Sequence, residues 1–242
     1  MLDGFSDFEF DGPLNGDDHI SHPVYFRGNG PPIIIWQELP GILPQTIALA
    51  EKMAQAGYTV YLPHLFGPLG KSATGRNLLR LLCIRREFHI FAARKSSPVT
   101  NWMRALCRDV QTRHDGQQVG TLGMCLTGNF ALTLMADDSV IGGVASQPSL
   151  PILSQRALHM SDTELAGAKA GIKAKGPVLA MRYTGDTLCK AAKMDALEDN
   201  FGDGVVIHNI SGNGHSLLTV HWSDEAYDKM MAYFADRFAK PV

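Results

Sequence analysis

Four short stretches place a cysteine, an aspartate, a histidine and a glutamate where apolar runs break off: "WQELPG" (36–41), "GMCLTG" (123–128), "YTGD" (183–186) and "GNGH" (212–215). Cys125 lies between "QVGTL" and "NFALTLMA", the corner of a strand-to-helix turn. Such a corner holds a nucleophile clear of a sheet and aims helix-terminal N–H groups at a developing oxyanion. The same corner also suits a buried core cysteine or a redox thiol. Gly123 precedes Cys125 by two positions, but Thr127 stands two after it and Gly128 one later, slightly off a symmetric glycine pattern. Order along the chain favours the nucleophile. Cys125, Asp186 and His215 follow one another as nucleophile, acid and base, an arrangement in which histidine takes the thiol proton and the acid fixes its tautomer.

Gly212 and Gly214 leave the His215 loop free to turn inward, and Asp186 doubles as a candidate cap for the helix after it. His208 falls inside a strand pattern and His221 just past "SLLTV", so neither has the loop position that catalysis needs. His64 ends "YLPH" and reads as a structural or substrate-contact residue. With Trp36, Phe66 and Phe88 it would rim a pocket for a small, flat, partly apolar molecule.

The elements that must position these groups alternate. "PPIIIWQ", "YTVYLP", "QQVGTLGM", "SVIGGVAS", "GPVLAMRY" and "GVVIHNI" read as strands, and "HPVYFRG" as a short edge strand. Helical patterns fall over "LPQTIALAEKMAQAG", "RNLLRLLCIRREFHIFAARK", "SPVTNWMRALCRDVQTRH", "LTGNFALTLMA", "SDTELAGAKAGIKA", "TLCKAAKMDALEDNF" and "SDEAYDKMMAYFADRFAK". Ser161 and Glu164 have capping-box spacing. Continuous apolar strands between helices predict an α/β fold with a mostly parallel central sheet covered on both faces, in three layers. Ligands bind beyond the carboxyl ends of such strands, where all four reactive residues fall. Residues 1–21 form a polar lead-in with room for an edge strand at Phe8–Phe10, and residues 22–242 the single domain. The stretch 146–160, "SQPSLPILSQRALHM", is irregular and long enough for a flap.

At 242 residues and 45% hydrophobic content the chain can bury one large core. A formal charge of −2 offers no field for a polyanion, so nucleic acid is not an expected partner. Cys83, Cys107, Cys125 and Cys189 form no CxxC pair and no disulfide framework. Nothing approaches the roughly 18 apolar residues of a membrane span, and the acidic start lacks signal-peptide character. We expect a cytoplasmic protein that is monomeric, with reduced thiols and no metal or cofactor. "GPLGKSATG" lacks the spacing of either phosphate-binding glycine motif, which sets dinucleotide binding aside.

Through "WQELPG", "GMCLTG", "YTGD" and "GNGH", and an α/β order running over about residues 22–239, the chain resembles the dienelactone hydrolase family of α/β-hydrolases. The resemblance implies an α/β-hydrolase fold and a cysteine hydrolase that opens a small lactone or ester through an acyl-thioester. It implies Cys125 as nucleophile, His215 as base, Asp186 as its orienting acid and Glu38 as a glutamate associated with the thiol. The oxyanion donors would be the N–H groups of Leu39 and Leu126, and Arg85 and Arg86 are candidates for a substrate carboxylate. Thr127 departs from the family, which usually has glycine there. A thioesterase or other small-ester hydrolase would share every residue named, and a non-catalytic binding protein of the same fold would fit a buried, inert Cys125.

Overall fold

The apolar runs form the middle of one eight-stranded sheet in the computed structural model, which describes residues 2–71, 97–149 and 155–240. The strands are β1 (Ser6–Pro13), β2 (His19–Arg27), β3 (Pro32–Trp36), β4 (Thr59–Pro63), β5 (Val119–Met124), β6 (Val140–Ser146), β7 (Val178–Tyr183) and β8 (Val205–Ile210). Their spatial order is β1-β2-β4-β3-β5-β6-β7-β8. β2 runs antiparallel to both β1 and β4, and every other neighbouring pair is parallel. Every residue of β3, β4, β5, β6 and β7 is buried, as expected for strands covered on both faces.

"HPVYFRG" is not the edge. The lead-in supplies that strand instead: β1 pairs with β2 from Ser6 opposite Phe26 to Pro13 opposite His19. Its alternation puts Phe8 against Phe26 and Phe10 edge-on to Trp102, so the polar lead-in carries an apolar face.

Six helices cover the sheet among the described residues: α1 (Pro44–Gln55), α2 (Val99–Arg113), α3 (Phe130–Thr133), α4 (Asp162–Lys175), α5 (Ala191–Phe201) and α6 (Asp224–Ala239). Leu49 and Met53 of α1 and Met230 and Phe234 of α6 pack with Ile33 and Ile35 on one face. Trp102 and Leu106 of α2, Phe130 of α3, Ile172 of α4 and Leu197 of α5 pack with Ile34 and Trp36 on the other. Cys125 belongs to this second face.

The capping box at Ser161 forms, with Glu164 N–H donating to Ser161 Oγ at 3.2 Å and Ser161 N–H to the Glu164 carboxylate at 2.8 Å. The helix expected over "LTGNFALTLMA" is broken into 3₁₀ turns at Cys125–Thr127 and Leu134–Ala136 on either side of α3. The hydroxyls of Thr127 and Thr133 bond to the carbonyls of Met124 and Asn129, local bonding that bends or interrupts a helix. The helix expected over 76–95, with Arg85, Arg86 and Phe88, lies outside the described residues, as does the middle of the 146–160 stretch. Among the described residues no helix is long and apolar enough to cross a membrane.

Candidate active site

Register brings the site together. Trp36 of β3 lies opposite Gly123 of β5, so Glu38 and Cys125, each two residues further on, leave the sheet side by side. Met124 lies opposite Ser146, which places Gln147 next along the rim, and the β7–β8 pair ends with Tyr183 opposite Ile210. Two further bonds, Thr184 N–H to the Ile210 carbonyl at 2.8 Å and Gly185 N–H to the Gly212 carbonyl at 2.9 Å, zip the loops of Asp186 and His215 together. Buried Arg182 braces the first of these loops, donating to the carbonyls of Cys189 at 2.7 Å and Thr184 at 2.8 Å.

Cys125 has φ +53°, a left-handed conformation that a side chain adopts only where its surroundings impose it. The turn is tight: a Cβ at Gly123 would sit 2.3 Å from the Thr127 carbonyl, so no larger residue fits. Thr127 closes this turn. It ties it down, because its hydroxyl donates toward the carbonyls of Trp36 at 2.9 Å and Met124 at 3.0 Å and accepts from Met124 N–H at 2.9 Å. Thr127→Val keeps the shape and strands buried polar groups. Its unfolding free energy is expected to fall by about 2–3 kcal/mol, read from urea denaturation, and a loss below about 0.5 kcal/mol would refute the tether.

His215 Nδ1 lies 2.7 Å from Asp186 Oδ2. Asp186 Oδ1 accepts from the N–H groups of Leu188 at 2.8 Å and Cys189 at 2.9 Å, so the carboxylate caps its own turn and orients the imidazole at once. Burial works against its charge, but the His215 bond and these two N–H groups hold it below the ordinary aspartate range. Burial alone would lower the His215 pKa. The Asp186 hydrogen bond and the Cys125 sulfur outweigh it and push the imidazole up to about 10. Its other nitrogen, Nε2, is buried and makes no hydrogen bond apart from its interaction with the Cys125 sulfur, so a proton shared by these two groups rests on the imidazole.

Glu38 is 1% exposed, and its bonds run elsewhere than to the thiol. Oε2 accepts from Ser216 Oγ at 2.8 Å and Gln147 Nε2 at 3.3 Å, and Oε1 from the Thr219 hydroxyl. Burial raises its pKa against the pull of these donors. The thiol has Ser149 as a neighbour beside His215, with Sγ 3.1 Å from Oγ. Next to Glu38, Gln37 clamps the loop after β4 by donating to the Phe66 carbonyl at 2.7 Å and accepting from Leu65 N–H at 3.0 Å. The N–H groups of Leu39 and Leu126 have no acceptor among the described residues.

The expected pocket rim needs correction at Trp36. Its side chain is entirely buried, because β3 is central and its even-numbered residues point into the core beside Trp102 and Phe130. His64 is half-buried and its ring Nε2 bonds to the Gly67 carbonyl at 3.0 Å, bracing its own loop, while burial lowers its pKa. His221, set aside for catalysis, accepts the N–H groups of His215 at 3.3 Å and Ser216 at 3.4 Å on its Nδ1 and so supports the His215 loop. Gln147, Ser149, Ser216 and Thr219 escaped sequence reasoning. Only Ser216 and Thr219 carried a signal, in their closeness to His215. Among the described residues no group of three or more His, Cys, Asp or Glu side chains could hold a metal ion.

The fold agrees with the comparisons. The architecture is matched by a Klebsiella pneumoniae protein described as a candidate dienelactone hydrolase, at 15% identity and TM-score 0.65, covering 98% of this chain and 100% of that one. It is matched by a dienelactone hydrolase-like promiscuous phosphotriesterase, P91, from metagenomic libraries, at 13% identity and TM-score 0.64 over 98% of each chain. A Pyrococcus furiosus esterase, Pf2001, matches at 11% identity and TM-score 0.61, covering 96% of this chain and 93% of that one. No curated protein matches the sequence. The sequence profile described as the dienelactone hydrolase family spans residues 19–235, nearly the whole sheet and its helices. The chain therefore belongs to the dienelactone hydrolase family, α/β-hydrolases that cleave small esters and lactones.

Proposed function

We propose that the protein is a cysteine hydrolase that opens a small lactone or ester through an acyl-thioester on Cys125. The observation that carries this reading is the meeting of a strained elbow cysteine, φ +53°, with an imidazole anchored 2.7 Å from Asp186 on one side and interacting with the cysteine sulfur on the other. His215 takes the thiol proton, and the thiolate attacks the carbonyl carbon. The tetrahedral oxyanion forms beside the unengaged N–H groups of Leu39 and Leu126, placed as donors by their neighbours Glu38 and Cys125. Collapse breaks the carbonyl-to-oxygen bond, and the imidazolium returns its proton to the leaving oxygen. A water, deprotonated by His215, then attacks the thioester, and thiolate leaves.

In this reading Glu38 is a brace rather than a proton carrier. It ties the end of β3 to the residues after His215 and so fixes the distance between oxyanion donors and base. The substrate is a small molecule, met in the cytoplasm by a monomer.

The intermediate itself is the test. Acid-quenching a reaction with p-nitrophenyl acetate within the first turnover is expected to give one acetyl group per chain, on the peptide that contains Cys125. Turnover with the acetyl group on another residue would overturn the assignment.

A further inference from the structure

Besides His215, the Cys125 sulfur has a second polar neighbour, the Ser149 hydroxyl, at 3.1 Å. Both residues are shut from water, Cys125 at 8% and Ser149 at 4% exposure. A thiolate formed there loses hydration and must find donors in the protein. Ser149 is also fixed to the elbow by its backbone, since its N–H donates to the Cys125 carbonyl at 3.2 Å. The preceding Pro148 packs on the same turn, with its Cα 2.7 Å from where a Cβ at Gly128 would stand. One residue thus touches Cys125 through main chain and side chain together. Glu38 offers no competing contact, because its oxygens are taken by Ser216, Thr219 and Gln147.

We propose that Ser149 is a catalytic residue whose hydroxyl donates a hydrogen bond to the Cys125 thiolate, both when the nucleophile forms and when the thioester breaks. The role rests on Cys125 being the nucleophile. A hydroxyl has one donor and two acceptor sites, so it accepts from the resting S–H and, by turning its hydrogen alone, donates to S⁻. In acylation the thiol proton moves to His215 Nε2, the sulfur lone pair forms the C–S bond and Ser149 releases the sulfur as its charge disappears. In deacylation water gives a proton to His215, its oxygen bonds to the acyl carbon, the C–S bond breaks and the departing thiolate meets the Ser149 hydroxyl again.

The test compares Ser149→Ala and Ser149→Thr with the parent, following alkylation of Cys125 by iodoacetamide through peptide mass spectrometry from about pH 4 to pH 10. The other titratable groups around the sulfur are His215, Glu38, Asp186 behind His215, and Cys189, and all remain in both variants. A hydrogen bond to the charged form lowers a pKa, so Ser149→Ala is expected to raise the alkylation midpoint by about one unit. It should lower kcat about tenfold with little change in KM, while Ser149→Thr, which keeps the hydroxyl, restores both. A folded Ser149→Ala variant whose midpoint stays within about 0.2 unit of the parent would overturn the role of Ser149 alone. Absence of Cys125 alkylation in the active parent would instead overturn the nucleophile assignment, and this proposal with it.

Discussion

Cys125→Ala is expected to lower kcat on dienelactone or p-nitrophenyl esters by at least about 10⁴-fold, leaving only what binding and oxyanion donors supply. The loss should be chemical and not structural. Alanine at φ +53° is as strained as cysteine there, so the elbow keeps its conformation, and the variant removes one sulfur from a small buried site. Thermal unfolding should move by only a few degrees. Activity within about tenfold of the parent would mean that another group attacks the substrate, and the acyl-thioester reading would fall. A panel of small lactones and esters in the same assay also separates a lactone specialist from a general small-ester hydrolase.

The second large effect is expected at Asp186→Asn, with kcat/KM falling about 10³- to 10⁴-fold. The asparagine carbonyl can still accept from Leu188 and Cys189, so the turn survives. Its amide then faces His215 Nδ1, which must become the acceptor and leave the proton on Nε2. A neutral imidazole that holds its one proton on Nε2 cannot take another from the thiol there, whereas the parent's neutral form holds it on Nδ1. The imidazole pKa should fall from about 10 toward the ordinary value near 6.5, and this can be followed by NMR titration of the ring. The sign for stability follows. His215 is raised above its unfolded value, so in the parent its contribution is complete below about pH 6.5 and is lost as the pH rises through about 10. The variant should lack most of that pH-dependent contribution across this window. An unmoved imidazole titration would show that Asp186 does not set the base.

The strands were legible because each buried run is short, apolar and followed by a polar residue at the sheet's carboxyl edge. That rule alone placed Glu38, Cys125, Asp186 and His215 on one rim. Pairing register was not legible: nothing in "PPIIIWQ" states that Trp36 lies opposite Gly123, yet this decides that Glu38 stands beside Cys125. Trp36 misled for the same reason, since which face a side chain takes depends on the strand's place in the sheet. Gln147 and Ser149 sit in a stretch without periodicity and act through contacts to residues 109 and 24 positions away. The lead-in was read as polar because its alternation is dominated by aspartate, although Phe8 and Phe10 were enough to bind it to the sheet.

The brace at Glu38 also governs when the site can exist during synthesis. Its partners Gln147, Ser216 and Thr219 lie 109, 178 and 181 positions along the chain, so it closes only after the last third has emerged and β8 has docked. Contacts so distant in sequence form late, after local structure. On the proposed mechanism Cys125 until then has neither base nor orienting acid, and a nascent or half-folded chain carries an unassisted thiol. Reactivity is thus a property acquired in the final step of folding, and a truncated chain ending before His215 would be born inert.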